Sequence, residues 1–251
     1  MSIFCDNLYL LITIKIKYSP NYSKKTRKNK DIKLIVIHYT GMQSKIESLS
    51  RLLNPKHKVS CHYLIDRRGE ILKLVDDNKI AWHAGKSKWK NFNNLNKNSI
   101  GIELVNKGHE HGYEKFPKIQ IRELINLCLH LKRKYKIKNT NIVGHSDIAP
   151  LRKTDPGEKF PWKQLSKKKI GLWYKNLKFR SKKLDQKKMR KLFFMNLYKF
   201  GFRYFSKNKE TKKDTFIINA FKRRFLPDQI DGLIDQKTLI ISQYLSRYSK
   251  N

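Results

Sequence analysis

The stretch IKLIVIHYTG, from Ile32 to Gly41, is a continuous apolar run that ends in polar residues. Apolar side chains at successive positions are typical of a strand that is covered on both faces of a sheet. IGIELVN (Ile100–Asn106) and the short NIVG (Asn141–Gly144) have the same character. These three runs predict the buried strands of one central sheet, and polar residues stand at or near the end of each strand.

The segments around these runs predict further strands and helices. CHYLIDRRGEILKLV indicates two strands around a turn at Arg68-Gly69. Ser44 and Glu47 form a capping box for a short helix through Leu53. Pro117 opens a longer helix with apolar residues on one face. Strands and helices mixed in this way predict an α/β fold, a mixed central β-sheet flanked by helices.

The last third of the chain has a different character. It is dominated first by lysine and then by three helical segments, which predict a small all-α C-terminal domain with IDGLID as its tight turn. The expected helices are Lys187–Phe200, Asp214–Phe225 and Gln236–Tyr248. The predicted divisions are an N-terminal extension of unclear role (1–30), an α/β domain (31–166), a basic linker (167–186) and a three-helix domain (187–251).

The charge balance favours polyanionic partners. Lys and Arg number 57 against 20 Asp and Glu in 251 residues, which gives a formal net charge of +37. Nucleic acid, an anionic envelope surface and acidic wall polymers are all compatible with this excess. A compositional habit explains it equally well, because lysine is abundant in places with no evident binding role. Because the basic residues are spread along the chain, we expect no specific nucleic-acid partner. We also expect the protein to be a monomer.

The N-terminus and the cysteines leave the location of the protein open. The apolar run Leu8–Ile16 is too short to span a bilayer, and neither a basic leader nor a cleavage site is clear. We expect the cell envelope or periplasm if this is an atypical signal, and the cytoplasm otherwise. The three cysteines form no CxxC pair, and Cys61 and Cys128 are expected in the core.

Three residues at strand ends could ligate a metal ion. His38 ends the first buried strand, His145 follows NIVG, and Asp155 comes ten positions later in a loop that contains Pro150 and Pro156. Two imidazoles and a carboxylate are a common ligand set of catalytic zinc, which keeps a fourth position open for water. Any one of these residues alone would more often be a structural hydrogen-bonding residue.

Two charged residues could act beside such an ion. Glu103 is the only charge inside IGIELVN, and a carboxylate in a buried strand is costly unless it has a partner or a task. It could serve as general base and then proton donor. Lys153 could present its ammonium to an oxyanion, although a solvated lysine is the commoner case in so basic a chain.

Five segments together resemble one enzyme family. They are IVIHYTG, SCHYLIDRRGEI, AWHAGKS, NSIGIELVN and VGHSDIAPLRKTDPGEKFPW, and their order and spacing are similar to those of type 2 N-acetylmuramoyl-L-alanine amidases. These are zinc enzymes related in fold to the peptidoglycan recognition proteins. The resemblance covers about Lys33 to Trp162. It implies one Zn²⁺ per catalytic domain and hydrolysis of the amide between N-acetylmuramic acid and L-alanine in peptidoglycan or muropeptides.

The resemblance also assigns roles to residues. His38, His145 and Asp155 match the zinc ligands, and Glu103 and Lys153 match the catalytic pair. The residues that match the substrate groove are Trp82, His83 and Asn106. The segment FIINAFKRRFLPDQIDGLIDQKTLIIS is similar to three-helix peptidoglycan-binding domains. A peptidoglycan-binding protein without catalysis remains the alternative, although such relatives typically lack some of the five site residues.

Overall fold

The computed structural model describes residues 12–175, 177 and 184–250. A central sheet of six strands has the order β1-β5-β4-β9-β3-β10, in which only the β4–β5 pair is antiparallel. The strands of the described residues are β1 (Ile14–Ile16), β2 (Tyr22–Thr26), β3 (Leu34–Tyr39), β4 (Tyr63–Ile65), β5 (Ile71–Lys73), β6 (Lys79–Ala81), β7 (Lys88–Trp89), β8 (Phe92–Asn93), β9 (Ser99–Leu104) and β10 (Ile142–Gly144).

Helices cover both faces of the sheet, so the predicted mixed sheet flanked by helices is confirmed. The α-helices of the described residues are α1 (Lys45–Leu53), α2 (Lys118–Lys134), α3 (His145–Ile148), α4 (Trp162–Lys167), α5 (Gln186–Phe200), α6 (Asp214–Phe225) and α7 (Gln236–Ser246). Ser44 caps α1 by accepting from the backbone N–H of Glu47. No helix in the described part of the chain is long and apolar enough to cross a membrane.

The alternation of side chains along β3 explains how its two faces are used. Ile35 and Ile37 belong to a hydrophobic cluster with residues of α2. Leu34 and Val36 belong to another cluster that includes residues of the C-terminal helices α5, α6 and α7. Because successive side chains of a strand point to opposite faces, His38 follows Leu34 and Val36 on the face of the C-terminal helices. It stands at the carboxyl end of the strand.

The C-terminal helices share their core with the sheet. The cluster of Leu34 and Val36 also contains six buried phenylalanines, which are Phe193, Phe194, Phe200, Phe202, Phe221 and Phe225. The buried guanidinium of Arg224 donates to the carboxylate of Asp147 in α3 and lies 3.9 Å from the Trp162 ring centroid. The three predicted helices are therefore present, and they pack directly on the α/β region. The proposed domain boundaries remain a prediction.

The segments at either side of the α/β region also pack on it. β1 pairs with β5 at the sheet edge, and β2 pairs with β6 in a two-stranded sheet. The side chain of Asn21 is buried and donates to three backbone carbonyls. Residues 1–11, which include the first part of the N-terminal apolar run, lie outside the described residues. Cys61 and Cys128 are buried and free, as predicted.

One expectation about a loop was incomplete. The segment from Ala81 to Ser99 has no sequence periodicity, yet it contains a small hairpin of β7 and β8. Trp89 in this hairpin is completely buried and packs edge-on against Phe200 and Phe202. The hairpin forms because its aromatic residue fills the core under the C-terminal helices, a tertiary contact that local sequence does not show.

Candidate metal and catalytic site

The three predicted metal ligands come together at the carboxyl end of the sheet. β3 supplies His38, the start of α3 supplies His145, and the following loop supplies Asp155. His38 Nδ1 lies 2.9 Å from His145 Nδ1, and each of these nitrogens lies 3.1 Å from Asp155 Oδ2. All three side chains are buried. They are a group of histidine and acidic residues in the described chain that could hold a metal ion.

The hydrogen bonds of His145 leave its Nδ1 free to act as a ligand. Nε2 lies 3.2 Å from the carbonyl oxygen of Ala84, which can only accept, so Nε2 carries the proton. Arg152 Nη2 lies 3.3 Å from the same ring nitrogen. The two hydrogens of Arg152 Nη2 are directed instead to the carbonyls of Ala84 and Lys86, at 2.5 and 3.1 Å. In its neutral form the ring therefore carries its proton on Nε2 and presents an unprotonated Nδ1 to His38 and Asp155.

The electrostatics of the site favour a neutral His38 imidazole and an ionised Asp155 carboxylate. Burial, followed by the neighbouring His145, lowers the pKa of His38 to about 4. Burial would raise the pKa of Asp155, but the positive charge and hydrogen bonds that His145 and His38 supply in their protonated forms outweigh it and hold that pKa well below its usual range. Neutral imidazole nitrogens and a carboxylate oxygen are the donors that Zn²⁺ accepts, so the residues present fit this ion.

Glu103 lies beside this group on the neighbouring strand. β9 pairs in parallel with β3, with Glu103 in register with His38, so both side chains point to the same face. Burial, and then the negative charge of Asp155, raise the pKa of Glu103 to about 8 against the attraction of Lys153. Its Oε2 is buried and has no hydrogen-bond partner among the described residues. A carboxyl group held in this way is available for proton transfer.

A cavity of about 640 Å³ opens onto these residues. Its volume lies in the range of sites that bind small molecules. Lys153 also lines it, and the Lys153 ammonium has no hydrogen-bond partner among the described residues. The residues that line it include His38, Tyr39, His83, Glu103, His109, His145, Arg152, Lys153, Thr154 and Asp155. The five residues predicted to carry the chemistry thus surround one cavity.

The three residues predicted to contact substrate have different positions. His83 lines the cavity, but it is buried, and its ring nitrogens lie 3.0 Å from His38 Nε2 and 3.2 Å from Ser99 Oγ. Asn106 is buried and holds its own loop together, donating to the Glu114 carbonyl and accepting from the Gly108 N–H. Trp82 is partly buried, and neither it nor Asn106 is among the described residues that line the cavity.

Sequence reasoning missed the residues at the rim of the cavity. Tyr39 Oη lies 2.7 Å from His109 Nδ1 and 3.1 Å from Thr154 Oγ1, and His109 Nε2 lies 3.1 Å from a Glu158 oxygen. His109 comes from a segment of the sequence that resembles a solvated loop. The signal that could have found this group is the position of Tyr39 directly after His38.

Known proteins are similar to this chain in both sequence and fold. AmiD of Escherichia coli is 42% identical over 154 residues, which are 57% of this chain and 55% of that protein, so the chain matches about half the length of this relative. AmpD of Haemophilus influenzae, a 1,6-anhydro-N-acetylmuramyl-L-alanine amidase, is 34% identical over 163 residues, or 58% of this chain and 86% of that one.

Two solved structures extend the likeness to most of the chain. The complex of E. coli AmiD with anhydro-N-acetylmuramic acid-L-Ala-D-gamma-Glu-L-Lys superposes with a TM-score of 0.77 and 33% identity, covering 88% of this chain and 91% of that one. AmpDh3 of Pseudomonas aeruginosa gives a TM-score of 0.76 with 28% identity, covering 92% and 98%. Residues 28–158, just over half of the chain, match the N-acetylmuramoyl-L-alanine amidase family Amidase_2. The chain therefore belongs to this family, as its five motifs predicted.

Proposed function

We propose that this protein is a zinc-dependent amidase that cuts the bond between N-acetylmuramic acid and the L-alanine of the stem peptide. The observation that carries the proposal is the convergence of three ligand atoms, at 2.9–3.1 Å from one another, in a cavity that also exposes Glu103 and Lys153. Membership of the amidase family supports the same reaction.

His38, His145 and Asp155 would hold the ion through Nδ1, Nδ1 and a carboxylate oxygen. Zn²⁺ bound there would supply Lewis acidity toward the scissile carbonyl and lower the pKa of a water molecule. The residues in the proposed ligand set contribute one negative charge, because the imidazoles are neutral. This leaves a net positive charge at the centre when Zn²⁺ is bound, which favours the developing oxyanion.

Glu103 is assigned the proton transfers. Its carboxylate takes a proton from the attacking water as the C–O bond forms, and it then passes this proton to the amide nitrogen as the C–N bond breaks. A pKa near the operating pH suits a group that must both accept and return a proton. The raised pKa of Glu103, about 8, meets this requirement.

Lys153 is assigned the stabilisation of charge on the carbonyl oxygen. An ammonium that has no hydrogen-bond partner among the described residues can be directed at the oxygen that becomes negative in the tetrahedral intermediate. Trp82 and Asn106 remain candidates for the substrate groove, and Arg152 and Tyr39 join them because they line the cavity. For the C-terminal helices we propose a role in binding the wall polymer.

The proposed substrates are peptidoglycan and its muropeptide fragments. The support is that E. coli AmiD was solved with an anhydro-muramyl tripeptide, and AmpDh3 of P. aeruginosa with an anhydromuramic pentapeptide. Both ligands contain the bond at which this reaction would occur.

The test is a digest of purified sacculi and of soluble anhydro-muropeptide, each with and without a zinc chelator, analysed by mass spectrometry. We expect release of stem peptides that begin with L-alanine, its loss with chelator and its return with zinc. The better substrate distinguishes a polymer enzyme from a fragment enzyme. No release from either substrate by folded, zinc-loaded protein that still binds sacculi would make it a recognition protein.

A further inference from the structure

A chain of hydrogen bonds runs from Ser99 through His83 to the ligand His38. Ser99 Oγ donates its one proton to the carbonyl of Leu95, at 2.6 Å. The 3.2 Å contact between Ser99 Oγ and His83 Nε2 therefore requires the ring nitrogen to donate. His83 Nε2 is thus protonated.

The tautomer of His83 then sets that of His38. A neutral imidazole with its proton on Nε2 has a lone pair on Nδ1. His83 Nδ1 lies 3.0 Å from His38 Nε2, so it accepts, and His38 must carry its proton on Nε2. His38 Nδ1 is left unprotonated, and this is the atom that faces His145 and Asp155.

We propose that His83 is a positioning residue that selects the metal-binding tautomer of His38 through the chain Ser99–His83–His38. The proposal rests on the metal site described above, and it assigns His83 to the ligand and not to the substrate. Hydrogen bonds of this kind to a ligating histidine fix the orientation of its ring and raise its basicity. Because the adjacent Ala84 carbonyl orients His145, one short segment would set both histidine ligands.

The surroundings of His83 are built to hold its ring in place. A Cβ on Gly101 of β9 would overlap the His83 ring, so glycine at this strand position leaves room for the imidazole. The backbone N–H groups of His83 and Ala84 both donate to Asn96 Oδ1, at 3.2 and 2.6 Å. His83 is buried, as is Ser99, so water does not compete for these hydrogen bonds.

The first test measures the tautomers directly in the metal-free wild-type protein. Long-range ¹H–¹⁵N spectra of ¹⁵N-histidine-labelled protein distinguish protonated from unprotonated ring nitrogens, and single histidine variants assign the signals. We expect the proton on Nε2 in both His38 and His83, at a pH where both rings are neutral. A His38 ring with its proton on Nδ1 would overturn the proposal without any variant having to fold.

The second test compares zinc affinity between matched variants by competition with a chelating dye. His83→Phe keeps a ring but removes the acceptor, and we expect its Kd for zinc to rise about 10- to 100-fold. In His83→Asn, Oδ1 takes the place of Nδ1, so most of the affinity should return. His130→Phe, at an exposed position of α2, is the control and should bind zinc like the wild type. Ser99→Ala should give a mixture of His83 tautomers and a smaller loss.

The outcomes separate this proposal from the proposed function. If the wild type binds no zinc, the metal site itself is wrong. If the wild type binds zinc, and folded His83→Phe keeps both the wild-type Kd and the Nε2–H tautomer of His38, the role of His83 is wrong. Loss of affinity in His83→Phe together with its return in His83→Asn supports the proposal, because loss of packing alone would not be repaired by the smaller side chain.

Discussion

This molecule has an apolar side and a polar side, and they are built from different kinds of side chain. The core between the sheet and the C-terminal helices is filled by phenylalanine side chains, while the carboxyl end of the same strands holds histidines and carboxylates. β3 serves both, since Leu34 and Val36 enter the apolar cluster and His38 follows them on the same face. Burial of apolar area in the core stabilises the fold. The groups at the polar end reduce this stability, because buried ionisable groups without full pairing are costly.

The largest effect is expected from removing a ligand at the polar end. Asp155→Ala should lose zinc and hydrolysis together, because the carboxylate supplies the only negative charge in the proposed ligand set. The fold should persist, since the phenylalanine core is untouched. Metal analysis, the muropeptide digest and circular dichroism check this. A folded variant that still holds one zinc per chain would show that Asp155 is not a ligand.

The next effect concerns chemistry without metal loss. Glu103→Gln keeps the shape of the side chain but cannot accept a proton, so we expect hydrolysis to fall by about 10²- to 10⁴-fold. Zinc content should stay unchanged. Activity close to that of the wild type would place the general base elsewhere in the cavity.

The apolar side should respond in the reverse way. Phe221 is fully buried and packs against Phe193 and Phe225. Phe221→Ala should lower the free energy of unfolding by about 3–5 kcal/mol, through lost burial and a cavity. The zinc affinity of the molecules that remain folded should be unchanged. Denaturant unfolding and a zinc titration test both parts, and a large loss of zinc affinity would contradict the separation of the two sides.

A buried ion pair connects the two sides. Arg224 of α6 donates to Asp147, which also accepts from the N–H of Gly144, the residue before α3. Arg224→Met leaves the Asp147 carboxylate buried without its cation, which costs about 3–5 kcal/mol in such pairs. Replacing both residues with apolar side chains should recover much of this loss. Unfolding measured by a probe on each side should remain one transition in the wild type, and two separate transitions would show independent units.

The last effect is a pH dependence of stability in the metal-free protein. The pKa of Glu103 is raised from 4.5 to about 8 in the folded state, because of burial and then Asp155. The folded state therefore holds its proton to higher pH than the unfolded state, and stability falls as pH rises between these two values. Glu103→Gln lacks this fall.

We therefore expect Glu103→Gln to be more stable than the wild type near the upper value, and equal to it near 4.5. Thermal unfolding at both ends of the range measures the difference. A stability gap that does not change with pH would show that the Glu103 carboxyl is not destabilised by its surroundings.

The sequence predicted the polar side more fully than the apolar one. His38, Glu103 and His145 stand at or near the ends of apolar runs, and the carboxyl ends of neighbouring parallel strands meet at one edge of a sheet. Their convergence follows from that rule. Asp155 and Lys153 were candidates from their chemistry, and the resemblance to the amidase family added to that prediction; they lie on a loop whose path periodicity cannot predict.

Tertiary contacts account for what could not be predicted. The bounds of α5 and α6 follow from apolar periodicity, but nothing local indicates that their phenylalanines pack on β3 or that Arg224 reaches Asp147. The position of His83 behind His38 depends on Gly101, whose missing side chain leaves space that becomes visible only in three dimensions. Hydrogen-bond partners distant in sequence are set by the fold and leave no local pattern.

The central claim is that one metal ion is held by His38, His145 and Asp155, with Glu103 beside it and not bound to it. Anomalous diffraction at the zinc edge, from crystals of protein loaded with one equivalent of zinc, tests this directly. The claim predicts a single strong peak bonded to His38 Nδ1, His145 Nδ1 and an Asp155 oxygen, with both Glu103 oxygens outside bonding distance. A peak elsewhere, a Glu103 oxygen in the coordination sphere, or no peak in this cavity would contradict it.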